Sequence, residues 1–465
     1  MNMQSDKKYT IPDEHYYRCA FPRGRMLSKL EDDLTVFVQL ILQTASQKKV
    51  DFESKFDQEY AKLHSLDEKT IKNRRTEMVS LYGLTVTTDD GYVEPSRMSL
   101  VLSESQDFYL FFKLFCLKFQ FPNCINKSNS TIEQLNKSIR FKPAKFILEL
   151  LSLGVKKHGW DFSVSSGEIS SLVFNDLRVT TGKINPDVCM DVLTANRRNN
   201  IVYDGGSKSN QHGREFLDYM RLANLLVTAE NGRDFKLNRD ESEAIDYIVK
   251  DGRFFELPDA YTDSHDIRVA TENAWEKWYG DVDDKDITAL KTKPQTLPEL
   301  AKDSISVEQT KSKEASPTQT TMKDIGDVGE MIVLKYEKEK IGEIRPDKVH
   351  LVQRVSNDTV LGFDIQSFEF EDTDRKKFIE VKTTNRTYPP GIDILTSFYM
   401  SSNEWQTAKN YLQSYYIYRV FLLHNETKIF VVKNPTEKEK EGLLILEPTN
   451  YRVILKQGCG GYISD

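Results

Sequence analysis

The chain has 465 residues, 39% hydrophobic and 29% charged, the balance of an ordinary globular protein with length for two or three domains. A net charge of −7 excludes a protein that coats nucleic acid over its whole surface, though not one with a local basic face. No apolar run approaches the roughly 18 residues of a membrane span. The start MNMQSDKKYTIPDEHYYR lacks the apolar core of a signal peptide, and five scattered cysteines form neither a CxxC nor a Cys/His cluster. A soluble cytoplasmic protein without disulfides or structural zinc is therefore expected.

In chain order, the first strong pattern is RRTEMVSLYGLTVTTDDGYVEPS, residues 74–96. A helical apolar pattern leads into a short strand, an Asp-Gly turn and a second strand. A similar unit, GREFLDYMRLANLLVTAENGRDFKLN, spans residues 213–238, with Asn-Gly at the turn. A helix followed by a two-stranded wing is how a winged helix-turn-helix ends; the alternative is two unrelated helix–hairpin units. Further helices are expected over 143–153 and 186–196, each opened by proline, and over 165–174, opened by a Ser-x-x-Glu cap. The region 1–281 thus reads as mainly α with small hairpins, in the style of tandem winged helices.

Residues 282–322 contain no aromatic residue and are rich in Lys, Asp, Glu, Ser, Thr and Pro. Such a segment buries too little apolar surface to offset its ordering entropy, and is expected to be a linker, with room for one short helix. Beyond it, 323–465 changes character. An amphipathic helix is expected over 326–341, then strands over 349–355, 362–370, 376–384 and 394–400. A helix over 401–414 follows, with Ser401 and Glu404 at capping-box spacing, and then a hairpin of 415–423 and 428–434 through His424-Asn425-Glu426. The order, summarised as αβββαββ, predicts an α/β layered domain with a mixed sheet.

The chemistry concentrates in the hairpin LGFDIQSFEFEDTDRKKFIEVKTT, residues 361–384. With the turn centred on Thr373, Asp364 lies opposite Lys382 and Gln366 opposite Glu380. Alternation then puts these four polar residues on one face and Phe363, Ile365, Ile379 and Val381 on the other. Asp364 and Glu380 become diagonal neighbours, roughly 7 Å apart at the backbone, within reach of one hard cation. Magnesium takes oxygen ligands and retains waters, and Lys382 is placed to hold or polarise an attacking water beside it. The bland reading is a solvated hairpin face with incidental charge. For Glu330 it is an acid complementing a helix N-terminus; for Gln366, polar strand filler; for Ser401, Asn403 and Glu404, helix capping.

Asp364, Glu380 and Lys382, with Glu330 from the preceding helix, resemble the signature of the PD-(D/E)XK nuclease superfamily. GDVGE, GFDI, FIEVK, SSNEW and YRVFLL, within 323–435, look like the C-terminal domain first named from the plant protein NO VEIN. The N-terminal stretches YGLTVTTDDGYVEPS (82–96), LFCLKFQFPN (114–123), KPAKFILELLSLGVKKHG (142–159), LANLLVTAENGRDFKLN (222–238) and WEKWYGD (275–281) resemble the recognition part of AlwI-like restriction and nicking endonucleases. The resemblances imply a restriction-endonuclease-like α/β domain that uses Mg²⁺ at Asp364 and Glu380, with Glu330 in support. They also imply an N-terminal region that reads double-stranded DNA.

Candidate DNA contacts are Arg74 and Arg75 ahead of the first hairpin and Lys142 at a loop-to-helix junction. A further cluster is Arg197, Arg198, Lys208, Asn210, Gln211 and Arg214 around a Gly-rich loop. Arginine suits guanine, Asn and Gln suit adenine, and lysine suits phosphate; the alternative is a solvated basic surface. The expected function is a Mg²⁺-dependent, type II-like, sequence-specific DNA endonuclease defending against foreign DNA. A single site cuts one strand, so a double-strand break implies a transient homodimer or two successive nicks. The rivals are a DNA-binding nuclease subunit governed by a partner ATPase, since the chain has no GxxxxGK[ST], and a non-catalytic DNA-binding scaffold.

Overall fold

The computed structural model describes residues 7–21, 27–63, 66–203, 211–262, 264–291, 325–356, 361–371, 374–390, 397–423, 426–447, 452–455 and 458–462. Two compact units emerge. The first comprises Met1–Arg25, Phe37–Leu100 and Tyr109–Leu290; the second comprises Met26–Val36, Val101–Phe108 and Lys291–Asp465. Among the described residues no helix is long and apolar enough to cross a membrane.

The first unit is mostly helical. Its centre is aromatic: Phe21 packs edge-on against Phe115, Phe119, Phe216 and Tyr219, and Tyr82 joins Tyr219 through hydroxyls 2.5 Å apart. Both expected helix–hairpin units form. Helix Glu68–Tyr82 leads to strands Thr85–Thr87 and Tyr92–Pro95, and helix Gln211–Leu222 to strands Leu226–Thr228 and Phe235–Leu237. Each hairpin gains a third, two-residue strand, Gln47–Lys48 in one sheet and Ser163–Val164 in the other.

The two units also match in backbone detail. Gly83 and Asn224 end their helices in left-handed conformation, at φ of 58° and 59°, and Gly91 and Gly232 turn the hairpins at 74° and 70°. The N–H groups of Leu84 and Leu225 donate back to Val79 and Met220, each at 3.0 Å. Asparagine tolerates this conformation almost as well as glycine does. At Gly83, however, an added Cβ would also stand 2.7 Å from the Tyr279 ring. Gly83→Ala is therefore expected to lower the unfolding free energy by roughly 1–3 kcal/mol, read as a shifted urea midpoint. Asn224→Gly keeps the backbone conformation but removes the buried Nδ2 donor to Glu241 at 3.0 Å, and should lower the midpoint through that lost hydrogen bond.

The segment expected as a linker is not uniform. Its first residues form helix Asp284–Leu290, in which Asp286 and Leu290 are buried. Tyr247 donates to Asp286 at 2.8 Å, and Arg253 clamps the same carboxylate at 2.6 Å. The sequence left room for one short helix in 282–322, and the one that forms is fixed largely by charge. Residues 292–322 lie outside the described residues.

The second unit is built on a six-stranded mixed sheet. Its order is Gly461–Tyr462, Thr427–Lys433, Tyr415–Leu422, Lys376–Asn385, Ile365–Phe368 and Gln353–Arg354. Only the central pair, Tyr415–Leu422 with Lys376–Asn385, runs parallel; the other neighbours are antiparallel. Helix Ile325–Ile344 covers one face, its Val328, Met331 and Ile332 in the same core as Ile365, Ile379 and Val381. The helix approaches closely at Gly329, where a Cβ would fall 1.8 Å from the Thr383 hydroxyl. Helix Ser402–Tyr411 packs on the other face, where Trp405 joins Phe378, Tyr415 and Ile417.

Several expectations change here. Most of 349–355 is not a strand: Pro346–Leu351 is a 3-10 helix, and only Gln353–Arg354 pairs. Within the stretch 394–400, Ser397–Tyr399 leaves the main sheet for a small sheet with Arg452–Leu455 and Leu444–Glu447. Phe363 does not share a face with Ile365. It precedes the strand, after Gly362 at φ 70°, so alternation does not reach it, and its ring packs 4.8 Å from Phe378. His424 and Asn425 lie outside the described residues.

Candidate active site

The central strand Lys376–Asn385 carries the β-branched run expected of a buried strand, interrupted by Glu380 and Lys382. Ile365 pairs with Ile379 and Gln366 with Phe378. This register is offset by two residues from the sequence expectation, so Gln366 faces Phe378 rather than Glu380, and Asp364 stands just ahead of the paired residues. A slip of two preserves the faces because side chains repeat every second residue. Glu380 and Lys382 therefore still share one side, and Asp364, just ahead of the paired strand, brings its carboxyl close enough to interact with both. The Asp364 N–H donates to the Ile379 carbonyl at 2.9 Å, and its Oδ2 accepts from the Val381 N–H at 2.8 Å, which fixes the carboxyl against the central strand.

Lys382 lies between two acids, with Nζ 2.6 Å from Glu380 Oε1 and 3.0 Å from Glu404 Oε2. Glu404 has two tasks. It completes the expected capping box with Ser401, accepting from the Ser401 N–H at 2.9 Å through the oxygen that also meets Lys382. Sequence reasoning found the cap and missed the ion pair; the available signal was an acid inside a motif of the NO VEIN resemblance. On the helix side, Glu330 accepts from Arg354 Nε at 2.5 Å, and Arg354 also binds Asp327. Arg354 too was missed, although it is a lone cation in an apolar stretch.

Five carboxyl groups (Asp327, Glu330, Asp364, Glu380, Glu404) thus surround two cations, Arg354 and Lys382. Burial, reinforced by the nearby Glu330 charge, pushes Asp364 up to about 7. Burial drives Glu380 well above the usual carboxylate range, opposed by Lys382 and reinforced by Asp364 and Glu404. For Lys382, burial disfavours the charge, but Glu380 and Glu404 overcome it and raise its pKa. Carboxyls perturbed by burial and by one another beside a lysine mark the cluster as a candidate site.

Among the described residues no three His, Cys, Asp or Glu side chains converge as ready metal ligands. The donor chemistry nevertheless fits a hard cation: oxygen donors only, and more buried carboxylate than the two cations neutralise. Asp364 and Glu380, with Glu330, are the residues that would hold Mg²⁺, and Glu380 would then be shared with Lys382.

The candidate DNA contacts separate. Arg75 is buried and tied to Glu53 at 2.9 Å and Asp57 at 2.8 Å. Lys142 is held by Asp251 at 2.6 Å. These two cations are committed to internal acids, a pairing that local sequence did not disclose. Arg74 reaches the Tyr60 hydroxyl at 3.4 Å. Arg197 pairs with Glu168 at 2.7 Å, Gln211 with Glu215 at 2.8 Å and Arg214 with Asp218 at 3.2 Å. Arg198 is exposed at the end of helix Pro186–Arg198. Lys208 and Asn210 lie outside the described residues.

Residues 9–279 match the family described as restriction endonuclease BpuJI, N-terminal, and residues 329–432 match the C-terminal domain of protein NO VEIN. The first match covers more than half of the chain, which belongs to the BpuJI N-terminal family. A solved structure of the BpuJ1 endonuclease binding domain, in complex with pyrene- and phenanthrene-modified DNA, is similar at 28% identity and a TM-score of 0.52. It aligns over 58% of this chain and 100% of that one. No curated protein matches. The N-terminal resemblance thus holds at the level of restriction endonucleases, with BpuJI rather than AlwI as the matched family.

Proposed function

We propose that the chain is a Mg²⁺-dependent DNA endonuclease of restriction type that cuts double-stranded DNA in defence of a cell. The observation that carries this reading is the gathering of Asp364, Glu380 and Lys382 on adjacent strands, within the stretch that matches the NO VEIN C-terminal family. The match of 9–279 to a restriction endonuclease's N-terminal region supports DNA recognition by residues 1–281. In this reading the two helix–hairpin units are winged helices and 323–465 is a PD-(D/E)XK nuclease domain joined through 282–322. The protein works in the cytoplasm, and two copies associate transiently for double-strand cleavage.

Lys382 orients and polarises the water that attacks phosphorus in line, and Glu380 and Glu404 fix its ammonium. Asp364 is kept in place by the Val381 N–H. When bound, Mg²⁺ supplies Lewis-acid stabilisation of charge developing on the phosphate. Exposed Arg198, together with Arg74, Arg197, Gln211 and Arg214, is the favoured DNA-facing set. Lys208 and Asn210 remain candidates from the sequence.

The test is incubation of the pure protein with plasmid DNA and Mg²⁺. Discrete fragments or nicked circles that disappear with EDTA are expected; retained DNA binding without cutting under any divalent cation would sink the reading. A second reading has one observation behind it. Lys382 is already engaged by Glu380 and Glu404, as in a site kept latent until a partner, such as an ATPase subunit, rearranges it. Cutting that starts only on adding such a partner would favour that reading.

A further inference from the structure

The central strand leaves the acid–lysine cluster at Thr384 and Asn385, and its exit is bound by a segment far away in sequence. The Gln106 carbonyl accepts from the Thr384 hydroxyl at 2.9 Å and from the Asn385 N–H at 3.3 Å. Asp107 and Asn385 form a parallel bridge. Gln106 is not glycine, yet its φ is 50°. Residues other than glycine hold this left-handed conformation where their surroundings enforce it.

The Gln106 side chain reaches further. Its Oε1 accepts from Arg419 Nη2, and Arg419 Nη1 donates to the backbone carbonyl of Lys382 at 3.1 Å. Arg419 is level with Lys382 in the parallel register and only 3% exposed. A buried guanidinium is costly unless hydrogen bonds offset its desolvation, and an apolar residue of similar volume would pack the same space at less cost. Such packing would not grip the Lys382 carbonyl. Next along the strand, Arg386 pairs with Glu31 and Asp32, and the Thr387 and Tyr388 N–H groups donate to Glu31 at 2.6 and 3.1 Å. The segments supplying Gln106, Glu31 and Asp32, Val101–Phe108 and Met26–Val36, belong to the same compact unit as the sheet.

We infer that Gln106 and Arg419 are positioning residues for Lys382. They clamp the strand beyond the cluster by Gln106's carbonyl and Lys382's own backbone by Arg419. This rests on the endonuclease reading above. Neither residue touches the reacting atoms; both set where the lysine stands. A displacement of about 1 Å in such a group costs on the order of 10²-fold in rate.

The decisive variants are Gln106→Asn, which tolerates the left-handed backbone but is too short to meet Arg419, and Gln106→Glu, which keeps the acceptor. Three quantities are read: the single-turnover cleavage rate, duplex-DNA affinity by fluorescence anisotropy, and hydrogen exchange of the amides over 380–386. Gln106→Asn is expected to slow cleavage about 10- to 100-fold, with DNA affinity within about twofold and exchange at 382–385 accelerated. Gln106→Glu should stay near wild type in all three, and Arg419→Met should reproduce the Asn variant with an unchanged unfolding midpoint. Wild-type cleavage by Gln106→Asn, or equal losses in the Asn and Glu variants, would overturn the inference. If the wild type cuts no DNA, the endonuclease reading falls, and exchange still decides the clamp: unchanged protection at 382–385 in Gln106→Asn would refute it.

Discussion

Lys382→Ala is expected to lower DNA cleavage by roughly 10²–10⁴-fold, the range for removing a positioned proton-handling group, while duplex-DNA affinity stays near wild type. Lys382 is the one cation between Glu380 and Glu404, at 2.6 and 3.0 Å. In the proposed mechanism its loss removes the group that orients the attacking water. It also leaves two carboxyls without their counter-charge. Breaking a buried pair is destabilising, so folding has to be monitored. Lys382→Met keeps most of the side-chain volume and separates loss of chemistry from loss of packing. Single-turnover cleavage and anisotropy are the measurements. The proposal puts DNA affinity in the N-terminal region, so a collapse of DNA binding in a folded Lys382 variant would contradict that division of labour. Near-normal cutting by both variants would remove Lys382 from the mechanism.

The second large effect is at Asp364, where activity and stability are expected to move in opposite directions. Asp364→Asn should reduce cleavage to background and weaken Mg²⁺ binding measured by isothermal titration calorimetry, with DNA affinity retained. In the absence of divalent cation the same variant should be more stable than wild type, by roughly 0.5–2 kcal/mol, the range of substitutions that relieve a strained active site. Two features of the site produce this result. Burial disfavours the charge on the Asp364 carboxyl, and the nearby charges of Glu330 and Glu404 add to that. An asparagine oxygen can still accept from the Val381 N–H, now 2.8 Å from Asp364 Oδ2, so the neutral side chain keeps the hydrogen bond and loses the repulsion. Adding Mg²⁺ should stabilise the wild type and not the variant, because a ligand bound only by the folded state raises its stability. Equal Mg²⁺ responses in the two proteins would exclude Asp364 as a ligand.

The two substitutions also separate the rival readings. A non-catalytic scaffold predicts no change in any DNA reaction from either variant. A latent nuclease predicts that Lys382→Ala is silent until a partner is added and decisive afterwards.

Much of this site was legible in the hairpin 361–384 because strand periodicity is a local property. Alternation put Glu380 and Lys382 on one side of the central strand, and a register error of two residues did not disturb that; Asp364 joins them from just ahead of its strand, held by the Ile379 carbonyl and the Val381 N–H. The capping box at Ser401 and Glu404 was equally local, as were the two helix–hairpin units, whose turns were marked by Asp90-Gly91 and Asn231-Gly232. These features depend on residues within a few positions of one another, where backbone sterics and short hydrogen bonds dominate.

What the amino-acid sequence by itself determined, then, is the helix–hairpin units, the capped helix, the alternation along the central strand and the residue types of the acid–lysine trio. It did not determine the strand expected over 349–355, the sheet that Ser397–Tyr399 joins or the side on which Phe363 packs. Tertiary structure alone decided which partners those groups meet. Glu404 reaches Lys382 because a helix packs across the sheet; Arg354 takes Glu330 because an edge strand runs beside the helix. Arg75 and Lys142 are withdrawn from the DNA-contact candidates by Glu53, Asp57 and Asp251, acids distant in sequence in the last case. Gln106 meets Lys382's strand across some 280 residues of intervening chain. Charge pairs and buried hydrogen bonds act over a few ångströms of space and carry no periodic mark along the chain. They are fixed only when packing brings the partners together.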